Sequence, residues 1–397
     1  MGTETTDILI SGGGVAGLTA AAAFGEAGFH VTIVDPQPPI TEMTADGADL
    51  RTTAFLQPAR DFLKSAGLWE QLSPFATPLQ TMRIVDASGT DPVSRNFEAQ
   101  DISDEPFGWN LPNWLLRREM VARLSQMPQV DFRPSVGFVS KVSRTKGAIV
   151  RLSDGSKVEA QLVIGADGRR SPVREALSIG TETFRYSQTA LTFAVTHDAP
   201  HENVSTEVHK DGGPFTLVPL PDFDGKPCSA VVWMTQNADV QQLRDLGAEE
   251  FSKAASDRSA QILGPLTLVS KRTAWPIISQ IAKSFVGPRT ALVAEAAHVM
   301  PPIGAQGLNT SLKDLSCLLE LACTNREALG QTAMLDAYET ARYKDVKLRM
   351  YGIDMLNRTS MTDTPILQDF RRFGVQALHD IKPIRTGLMQ MGLGARR

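Results

Sequence analysis

A glycine-rich turn near the N-terminus constrains the fold of this chain more than any other feature. Residues 7–11 (DILIS) form the short apolar run of a buried strand, residues 18–29 have the Ala and Leu content of a helix, and residues 31–35 (VTIVD) predict a second strand. The turn between the first strand and the helix reads GGGVAG and contains Gly12, Gly14, Val15, Ala16 and Gly17. This order of elements predicts a βαβ unit that presents helix amides to the pyrophosphate of a dinucleotide.

Each glycine of this turn has an expected task. Gly12 permits the tight turn, Gly14 lets phosphate approach the backbone, and Gly17 lets the helix pack closely on the strand. Asp35 lies at the tip of the second strand, where an acidic side chain accepts hydrogen bonds from a ribose. The unit predicts nucleotide binding, but it does not distinguish NAD from FAD.

Composition and charge exclude several classes of protein. The length of 397 residues indicates about two domains, and a net charge of −4 gives no basic surplus for nucleic acid. The three cysteines have no metal-ligand spacing and an odd count, so we expect no metal site, no disulfide framework and a reducing cytoplasm. The acidic start and the early glycine break argue against a signal peptide, and no apolar run is long enough to span a membrane.

Hydrophobic periodicity outlines the remaining elements. Residues 49–72 predict a short loop leading into an amphipathic helix with Phe55, Phe62, Leu63 and Leu68 on its apolar side. Further helices are predicted at 114–126, 309–324 and 333–356, with helical pieces after 364. Strands are predicted at 130–142, 147–153, 157–164 and 290–295, and an antiparallel sheet with one helix (239–262) at 184–278.

Two further motifs follow predicted strands. GADGRRSPVR (165–174) contains Asp167 and Gly168 in a strand-to-glycine turn. RTALVAEAAHVMPPIGAQGLN (289–309) contains Gly304 and Gly307, and Leu308 and Asn309 begin a helix whose N–H groups and positive dipole end would face an anion.

The three motifs together resemble the FAD-dependent aromatic hydroxylases of the para-hydroxybenzoate hydroxylase superfamily, and the resemblance covers essentially the whole chain. It implies an α/β fold: an FAD-binding Rossmann-like domain of the glutathione-reductase type, an inserted antiparallel β-sheet substrate domain and a helical C-terminus. The implied FAD-binding parts are residues 1–75, 113–183 and 281–360; the substrate parts are 76–112 and 184–280; the C-terminal segment is 361–397. The absence of a second GxGxxG agrees with a family that lacks a separate nicotinamide domain.

The resemblance also implies roles for single residues. Asp167 would serve the cofactor and the approach of NAD(P)H, and the carbonyl of Pro302 would lie near the reactive edge of the flavin. Arg51 matches a position over the flavin that contacts cofactor or substrate, with a solvated loop arginine as the alternative. Arg118 matches an arginine near the FAD ribose and pyrophosphate, although its neighbour Arg117 leaves the register open.

The third motif departs from the family pattern. The family usually has Gly-Asp-Ala-Ala-His, where this chain has Ala294-Glu295-Ala296-Ala297-His298. Glu295 keeps a carboxylate for the ribityl hydroxyls on a side chain one methylene longer, and Ala294 adds a methyl group where glycine lets the cofactor approach. For His298 we favour a packed histidine over a catalytic base.

The implied reaction is the hydroxylation of an aromatic ring with NAD(P)H and O2. Apolar residues of the predicted sheet line a substrate pocket or form plain sheet core: Phe193, Val195, Phe215, Leu217, Val218, Trp233 and Met234. No arginine–tyrosine pair is evident there to bind a carboxylate, which favours a neutral phenol. The chain is most similar to the ubiquinone-biosynthesis hydroxylases, which act on polyprenylated phenols; the alternatives are a hydroxylase of a small phenol such as a hydroxybenzoate and a non-catalytic prenyl-lipid escort.

The C-terminal residues of the sequence concern where in the cell the protein is located. Residues 366–397 alternate apolar side chains with six cationic ones, namely Arg371, Arg372, Lys382, Arg385, Arg396 and Arg397. Such a segment is compatible with peripheral contact of an otherwise cytoplasmic protein with the inner face of a membrane, or with a biosynthetic complex. The favoured interpretation is a helix that covers the substrate domain.

Overall fold

The computed structural model describes residues 3–89, 92–210 and 213–360. The strands are β1 (Glu4–Ser11), β2 (Val31–Asp35), β3 (Thr52–Leu56), β4 (Thr77–Leu79), β5 (Thr81–Asp86), β6 (Val93–Glu98), β7 (Gly108–Pro112), β8 (Val130–Pro134), β9 (Phe138–Ser143), β10 (Ala148–Leu152), β11 (Lys157–Gly165), β12 (Thr181–Thr196), β13 (Val204–Lys210), β14 (Gly213–Phe223), β15 (Lys226–Gln236), β16 (Thr267–Leu268), β17 (Thr273–Ala282), β18 (Val286–Gly287), β19 (Thr290–Leu292) and β20 (His298–Val299). The helices are α1 (Val15–Glu26), α2 (Gln57–Ser65), α3 (Trp69–Leu72), α4 (Asn113–Leu124), α5 (Pro172–Ala176), α6 (Asn237–Asp245), α7 (Ala248–Arg258), α8 (Gln306–Thr324) and α9 (Thr332–Ser360).

The first sheet has a parallel core. Within the described residues its order is β18-β19-β11-β1-β2-β8, and β10 and β9 extend it from β11. Strands β19, β11, β1, β2 and β8 run parallel. Consecutive side chains of β1, Ile8 to Ile10, are all fully buried, so both faces of this strand are covered. The predicted βαβ unit and the Rossmann-like fold class are confirmed.

Most strands of the second sheet, β12 to β17, are inserted between β11 and β18, while β5 and β6 precede the insertion and β20 follows β19. The order of this sheet in the described part of the chain is β20-β17-β12-β15-β14-β13-β5-β6, with β16 beside β12. Most pairs are antiparallel, but β13 runs parallel to β5, a strand from the earlier segment at 76–112. That segment also supplies β4 and β7; β7 pairs with β3 on one side and with β4 on the other, in a small separate sheet. The domain bounds given above stay a prediction.

The two faces of the second sheet differ. Phe193, Phe215 and Trp233 point to one face and pack with Phe251 of α7. Val195 and Leu217 belong to the same cluster. These five side chains are therefore sheet core under a helix. Met234 and Val218 lie in other clusters, and Met234 packs with Ala190 and Ile277 on the opposite face.

Three local predictions were wrong. Phe55 lies on β3, opposite Trp109 of β7, and not on a helix. The single helix predicted at 239–262 is two helices, α6 and α7, which separate at Leu246 and Gly247. Helix α8 begins at Gln306, ahead of the predicted start. The segment 366–397 lies outside the described residues, and no helix within them is both long and apolar enough to cross a membrane.

Candidate active site

The carboxyl ends of four neighbouring parallel strands meet at one edge of the first sheet. Strands β19, β11, β1 and β2 lie side by side in that order. The loop at 12–14 follows β1, the loop at 166–168 follows β11, the loop at 293–295 follows β19, and Asp35 ends β2. The fold therefore brings the three sequence motifs together, at the edge where open α/β sheets bind ligands.

Backbone hydrogen bonds fix these loops to one another. Gly12 N donates to Val34 O at 2.8 Å, and Ala166 N donates to Ser11 O at 2.8 Å. Val293 N donates to Gly165 O at 3.0 Å. The spacing of the loops is thus set by the sheet itself.

The glycines of the first motif do not have the same role. Gly12 has φ +117°, and a Cβ there would lie 2.3 Å from the carbonyl oxygen of Ala166. A Cβ on Gly17 would lie 1.9 Å from the carbonyl oxygen of Gly12. A Cβ on Gly14 would meet no atom within 4 Å. The packing of the chain therefore requires Gly12 and Gly17, while Gly14 leaves open space at the start of α1, whose first residues are Val15 and Ala16.

Asp35 is held against the glycine turn. Its Oδ2 accepts from Gly13 N at 2.5 Å, and its Oδ1 accepts from Gln37 N at 2.8 Å. The carboxylate is oriented by backbone amides, and each oxygen keeps a second lone pair for a ligand hydroxyl.

Asp167 has a buried oxygen without a partner. Its Oδ2 accepts from Ser11 Oγ at 3.2 Å and from Val173 N at 3.1 Å. Its Oδ1 is buried and has no hydrogen bond among the described residues. Burial raises the pKa of this carboxyl, although hydrogen bonds from Ser171, Val173 and Ser11 oppose that shift. With Gly168 at φ +82° beside it, the free oxygen is an acceptor available to a ligand.

The third motif begins with a left-handed residue that is not glycine. Ala294 has φ +53° and is 7% exposed. Left-handed backbone costs an L-residue on the order of 1 kcal/mol. Glu295 beside it is exposed. The family pattern has glycine at this left-handed position. This chain keeps the same turn with alanine, at a cost in the free energy of folding.

The loop after Pro301 turns into α8 through two more left-handed residues. Gly304 has φ +61° and Ala305 has φ +56°. In the first turn of α8, the amides of Gly307 and Leu308 find no acceptor among the described residues. Pro302 is exposed at the start of this loop. The helix end thus presents free donors, as predicted from the sequence.

The side chain of Asn309 is engaged within the chain, and its assignment to the cofactor stays a prediction. Its Oδ1 accepts from Leu56 N at 2.9 Å, and its Nδ2 donates to Ala54 O at 2.8 Å and to Ala305 O at 2.6 Å. Both amide hydrogens are used within the chain. The side chain therefore ties the start of α8 to β3.

Arg51 lies between the loops and the second sheet. Its guanidinium donates to both carboxylate oxygens of Asp49, at 2.8 Å each, and stacks 4.1 Å from the ring centre of Trp275. Burial opposes its charge, but the bonds to Asp49 and the nearby charge of Glu295 raise the pKa of Arg51. Arg51 therefore keeps its positive charge, and the charge of Glu295 helps to stabilise it.

The structure separates the two arginines of α4. Arg117 approaches Asp49 at 3.6 Å and so joins the group around Arg51. Arg118 bonds to its neighbour Glu119 at 2.8 Å and stacks over the ring of Trp114. The assignment of Arg118 to the cofactor stays a prediction.

A buried ionic chain behind the third motif was missed from the sequence. His298 is 2% exposed, and its Nε2 lies 2.6 Å from Asp314 Oδ2. Asp314 Oδ1 accepts from Arg342 Nε at 2.7 Å, and Arg342 also donates to Asp345 at 2.7 Å. His298 is thus a packed histidine, as favoured above. The available signal was the position of Asp314, which helical periodicity places beside Leu315 and Leu318 on the buried side of α8.

These groups fit a dinucleotide cofactor. The open space at Gly14 and the first amides of α1 suit a pyrophosphate, and Asp35 suits a ribose. The unpartnered oxygen of Asp167 and the free amides of α8 lie on the same loops as the second and third motifs.

Comparison with known proteins agrees with this geometry. Residues 5–349 match the family described as FAD binding domain. The ubiquinone hydroxylase UbiL of Rhodospirillum rubrum is 34% identical over 98% of this chain and 90% of its own length. The 3-demethoxyubiquinol 3-hydroxylase of Escherichia coli is 24% identical over 99% of this chain and 100% of its own. The solved structure of p-nitrophenol 4-monooxygenase PnpA from Pseudomonas putida has a TM-score of 0.80, with 20% identity and all of both chains covered.

The chain therefore belongs to the FAD-binding-domain family. It is an FAD-dependent monooxygenase of the aromatic hydroxylase type, so FAD and this class of enzyme are confirmed.

Proposed function

We propose that this protein hydroxylates the ring of a polyprenylated phenol in ubiquinone biosynthesis, with NAD(P)H as reductant and O2 as oxygen source. The printed names of the relatives in Rhodospirillum rubrum and Escherichia coli support a ubiquinone precursor as the substrate. The physical support comes from the face of the second sheet that lies opposite the face covered by α7.

That face is apolar where it meets the loop leading into α8. Ala190, Met234 and Ile277 are buried there, and Val232 and Ile303 pack against them. Ile303 belongs to the loop between Pro301 and Gly304. A hydrocarbon-bearing ring gains burial on such a face, whereas a charged ring would lose hydration. This apolar face beside the third motif is the observation that carries the proposal.

The cations of the inserted sheet lie elsewhere. Arg185 and Arg244 are exposed. Arg258 donates to Gly213 O, and Arg272 donates to carbonyls at the end of α6 while stacking over Phe251. These four are the arginines of residues 184–280. An arginine anchor for a carboxylate is therefore disfavoured in this segment, which supports a neutral substrate over a hydroxybenzoate.

The nearby tyrosine and arginine are already engaged. Tyr186 donates to Asp354 at 2.7 Å, and burial together with that bond raises its pKa to about 12. The positive charge of Arg51 is balanced by the carboxylate of Asp49, to which its guanidinium donates two hydrogen bonds. Neither side chain is poised to take a substrate carboxylate.

Residues of the three loops would hold FAD. We assign the pyrophosphate to the amides at Gly14, Val15 and Ala16, with Gly12 and Gly17 shaping the turn. The remaining assigned contacts are Asp35 on a ribose, Asp167 and Gly168 on the second motif, Glu295 on the ribityl chain, Arg118 near the ribose and pyrophosphate, and Gly304, Gly307, Leu308 and Asn309 around the ring. Arg51 and Pro302 are the proposed residues nearest the reaction.

The protein's own part in the reaction is positioning. Bound FAD, once reduced by NAD(P)H, supplies the transfer of one oxygen atom from O2 to the ring. The free amides of α8 would stabilise negative charge at that end of the flavin, and the apolar face would orient the ring and exclude water.

Turnover with matched phenols tests the proposal. The FAD-loaded enzyme is mixed with NADPH or NADH and with either an alkylated phenol or 4-hydroxybenzoate, and reductant consumption and hydroxylated product are both measured. We expect coupled turnover with the alkylated phenol. Substrate-stimulated turnover with hydroxybenzoate and none with alkylated phenols would refute the substrate class. The quinone intermediates of a deletion strain would identify the ring carbon.

An apolar substrate also supports a place for the protein at the inner membrane face or in a biosynthetic complex. The basic, apolar segment 366–397 would contribute to such contact. Flotation of full-length and 1–363 proteins with liposomes tests this segment, and equal behaviour would exclude it.

A further inference from the structure

Helix α9 carries an exposed apolar stripe. Leu348, Tyr351, Met355 and Leu356 are 73%, 63%, 67% and 57% exposed. Their spacing of three, four and one residues places them on one side of the helix. Single exposed apolar residues are ordinary, but four on one helix face form a continuous surface of the kind that contacts a partner. These four residues are called the α9 stripe below.

The charges beside the α9 stripe are mostly positive. Lys344 is exposed and lies one turn before Leu348; Lys347, which directly precedes Leu348, is partly exposed, with its ammonium 5.8 Å from the ring centre of Tyr343. The nearest acids are engaged in the protein: Asp345 binds Arg342 and Lys313, and Asp354 binds Tyr186 and Arg358. The face therefore combines apolar side chains, a tyrosine and two lysines. That combination complements an anionic lipid surface, where aromatic rings lie at headgroup level and lysines contact phosphates.

Helix α9 is bonded, on the side opposite the α9 stripe, to the strand that borders the candidate substrate face. Tyr186 binds Asp354 of α9 and packs with the apolar cluster that contains Met234 and Ile303. Three residues further along α9, Asn357 Nδ2 donates to Gln188 Oε1 at 3.2 Å. The part of α9 that bears the stripe is thus bonded to the strand that borders this cluster.

We infer that the α9 stripe docks the protein on an anionic membrane surface, with its apolar side chains in the headgroup boundary and Lys344 and Lys347 on lipid phosphates. The inference rests on the proposed function, because the bilayer is where a polyprenylated phenol resides. It names a surface on α9, a part of the chain that precedes residues 366–397.

Flotation with vesicles tests the docking. FAD-loaded full-length protein is floated with vesicles of phosphatidylglycerol and phosphatidylcholine, and with vesicles of phosphatidylcholine alone. We expect binding to the first that weakens with added salt. The double variant Leu348→Asp, Tyr351→Asp should lower the partition coefficient about tenfold or more, because two apolar side chains no longer enter the boundary. Replacing Lys344 or Lys347 by Gln should lower it about fivefold for each lysine.

Matched controls use equally exposed residues elsewhere. Val142 on β9 is 63% exposed, and Val142→Asp should leave flotation unchanged. Lys253 on α7 is exposed, and Lys253→Gln should do the same. Flavin content and thermal midpoint, measured on every variant, verify that the fold is retained.

Three outcomes would overturn the docking. The first is equal flotation of wild type and the double variant. The second is concentration-dependent dimerisation of the wild type that the double variant abolishes while neither floats, which would assign the stripe to a second copy. The third is flotation that begins only when residues 364–397 are removed, which would assign the stripe to the chain's own C-terminal segment.

Activity separates this inference from the proposed function. A water-soluble alkylated phenol, tested without vesicles, should be turned over equally by wild type and the double variant. If wild type floats but hydroxylates no phenol, the proposed function fails and so does the reason given for docking. If turnover is normal and nothing floats, only the docking is refuted.

Discussion

Replacement of Arg342 by methionine would test how strongly the buried ionic chain holds the third motif in place. The Arg342 side chain is 3% exposed and bridges two acids, Asp314 and Asp345, at 2.7 Å each. Asp314 is fully buried, and its other oxygen holds His298. Methionine fills much of the same volume, but it leaves the Asp314 carboxylate buried without its guanidinium.

The expected loss is large because one partner of a buried pair is removed while the other stays. Such changes cost about 3–5 kcal/mol. With an unfolding entropy of about 2.1 cal/mol/K per residue over 397 residues, the thermal midpoint should fall by about 4–6 °C. Lys313→Met is the matched control, because its ammonium lies 3.1 Å from the same Asp345 but is 53% exposed. An exposed pair contributes less than about 1 kcal/mol, or about 1 °C.

The pH dependence gives a second readout. Burial alone would raise the pKa of Asp345, but hydrogen bonds from Arg342 and Lys313 lower it from 3.8 to about 2. A lowered pKa in the folded state adds stability above pH 3.8 that is lost as the pH falls toward about 2. The difference in midpoint between wild type and Arg342→Met should therefore narrow as the pH is lowered below about 4.

Scanning fluorimetry of the FAD-loaded proteins measures both effects, with flavin content and far-UV circular dichroism as checks on folding. A thermal midpoint of Arg342→Met no lower than that of Lys313→Met would refute the reasoning. Burial would then make no difference to how much a cation beside Asp345 contributes to the free energy of unfolding.

Four further substitutions separate the roles of the loop residues. Gly14→Ala should leave apoprotein stability near wild type, because the added methyl group would meet no protein atom within 4 Å. It should weaken FAD binding in a fluorescence titration, because the methyl group would occupy the space proposed for phosphate; unchanged affinity would contradict a phosphate at that position. Gly17→Ala should destabilise the apoprotein in urea, since its Cβ would lie 1.9 Å from a carbonyl oxygen; an unchanged midpoint would count against the close helix packing. Glu295→Ala should lower the flavin absorbance per protein, and equal absorbance would mean that the ribityl contact is made elsewhere. Ala294→Gly should stabilise the apoprotein by ~1 kcal/mol by relieving φ +53°, and a loss of stability would show that the methyl group's packing outweighs the backbone strain.

The flavin-side architecture was accessible from the sequence because its signals are local. A buried strand, a glycine turn and an alanine-rich helix follow one another within residues 7–35, and each depends on neighbouring residues alone. The same holds for the turns at Asp167 and Gly304. Phe55 was misplaced because its strand exists only through pairing with Trp109, which is distant in the chain.

The substrate side was less predictable for a geometric reason. Alternation shows that successive strand residues face opposite ways, but both faces of the inserted sheet are apolar. The sequence therefore cannot tell that Phe193 and Trp233 lie under α7 whereas Ala190 and Met234 lie on the other face. The ionic chain of His298, Asp314 and Arg342 was missed for a related reason, because its three members come from separate elements.

The inserted sheet begins and ends on adjacent strands. β12 and β17 are antiparallel neighbours, and Thr181, at the start of the insertion, pairs with Ala282 at its end. The two ends of the insertion at 181–282 are thus hydrogen-bonded to each other before the chain reaches β11 on one side and β18 on the other. Changing the length or the sequence of the strands between β12 and β17 in such an insertion leaves the distance between its two ends unchanged. The fold can therefore acquire a new substrate surface while the strands that carry the flavin loops keep their register.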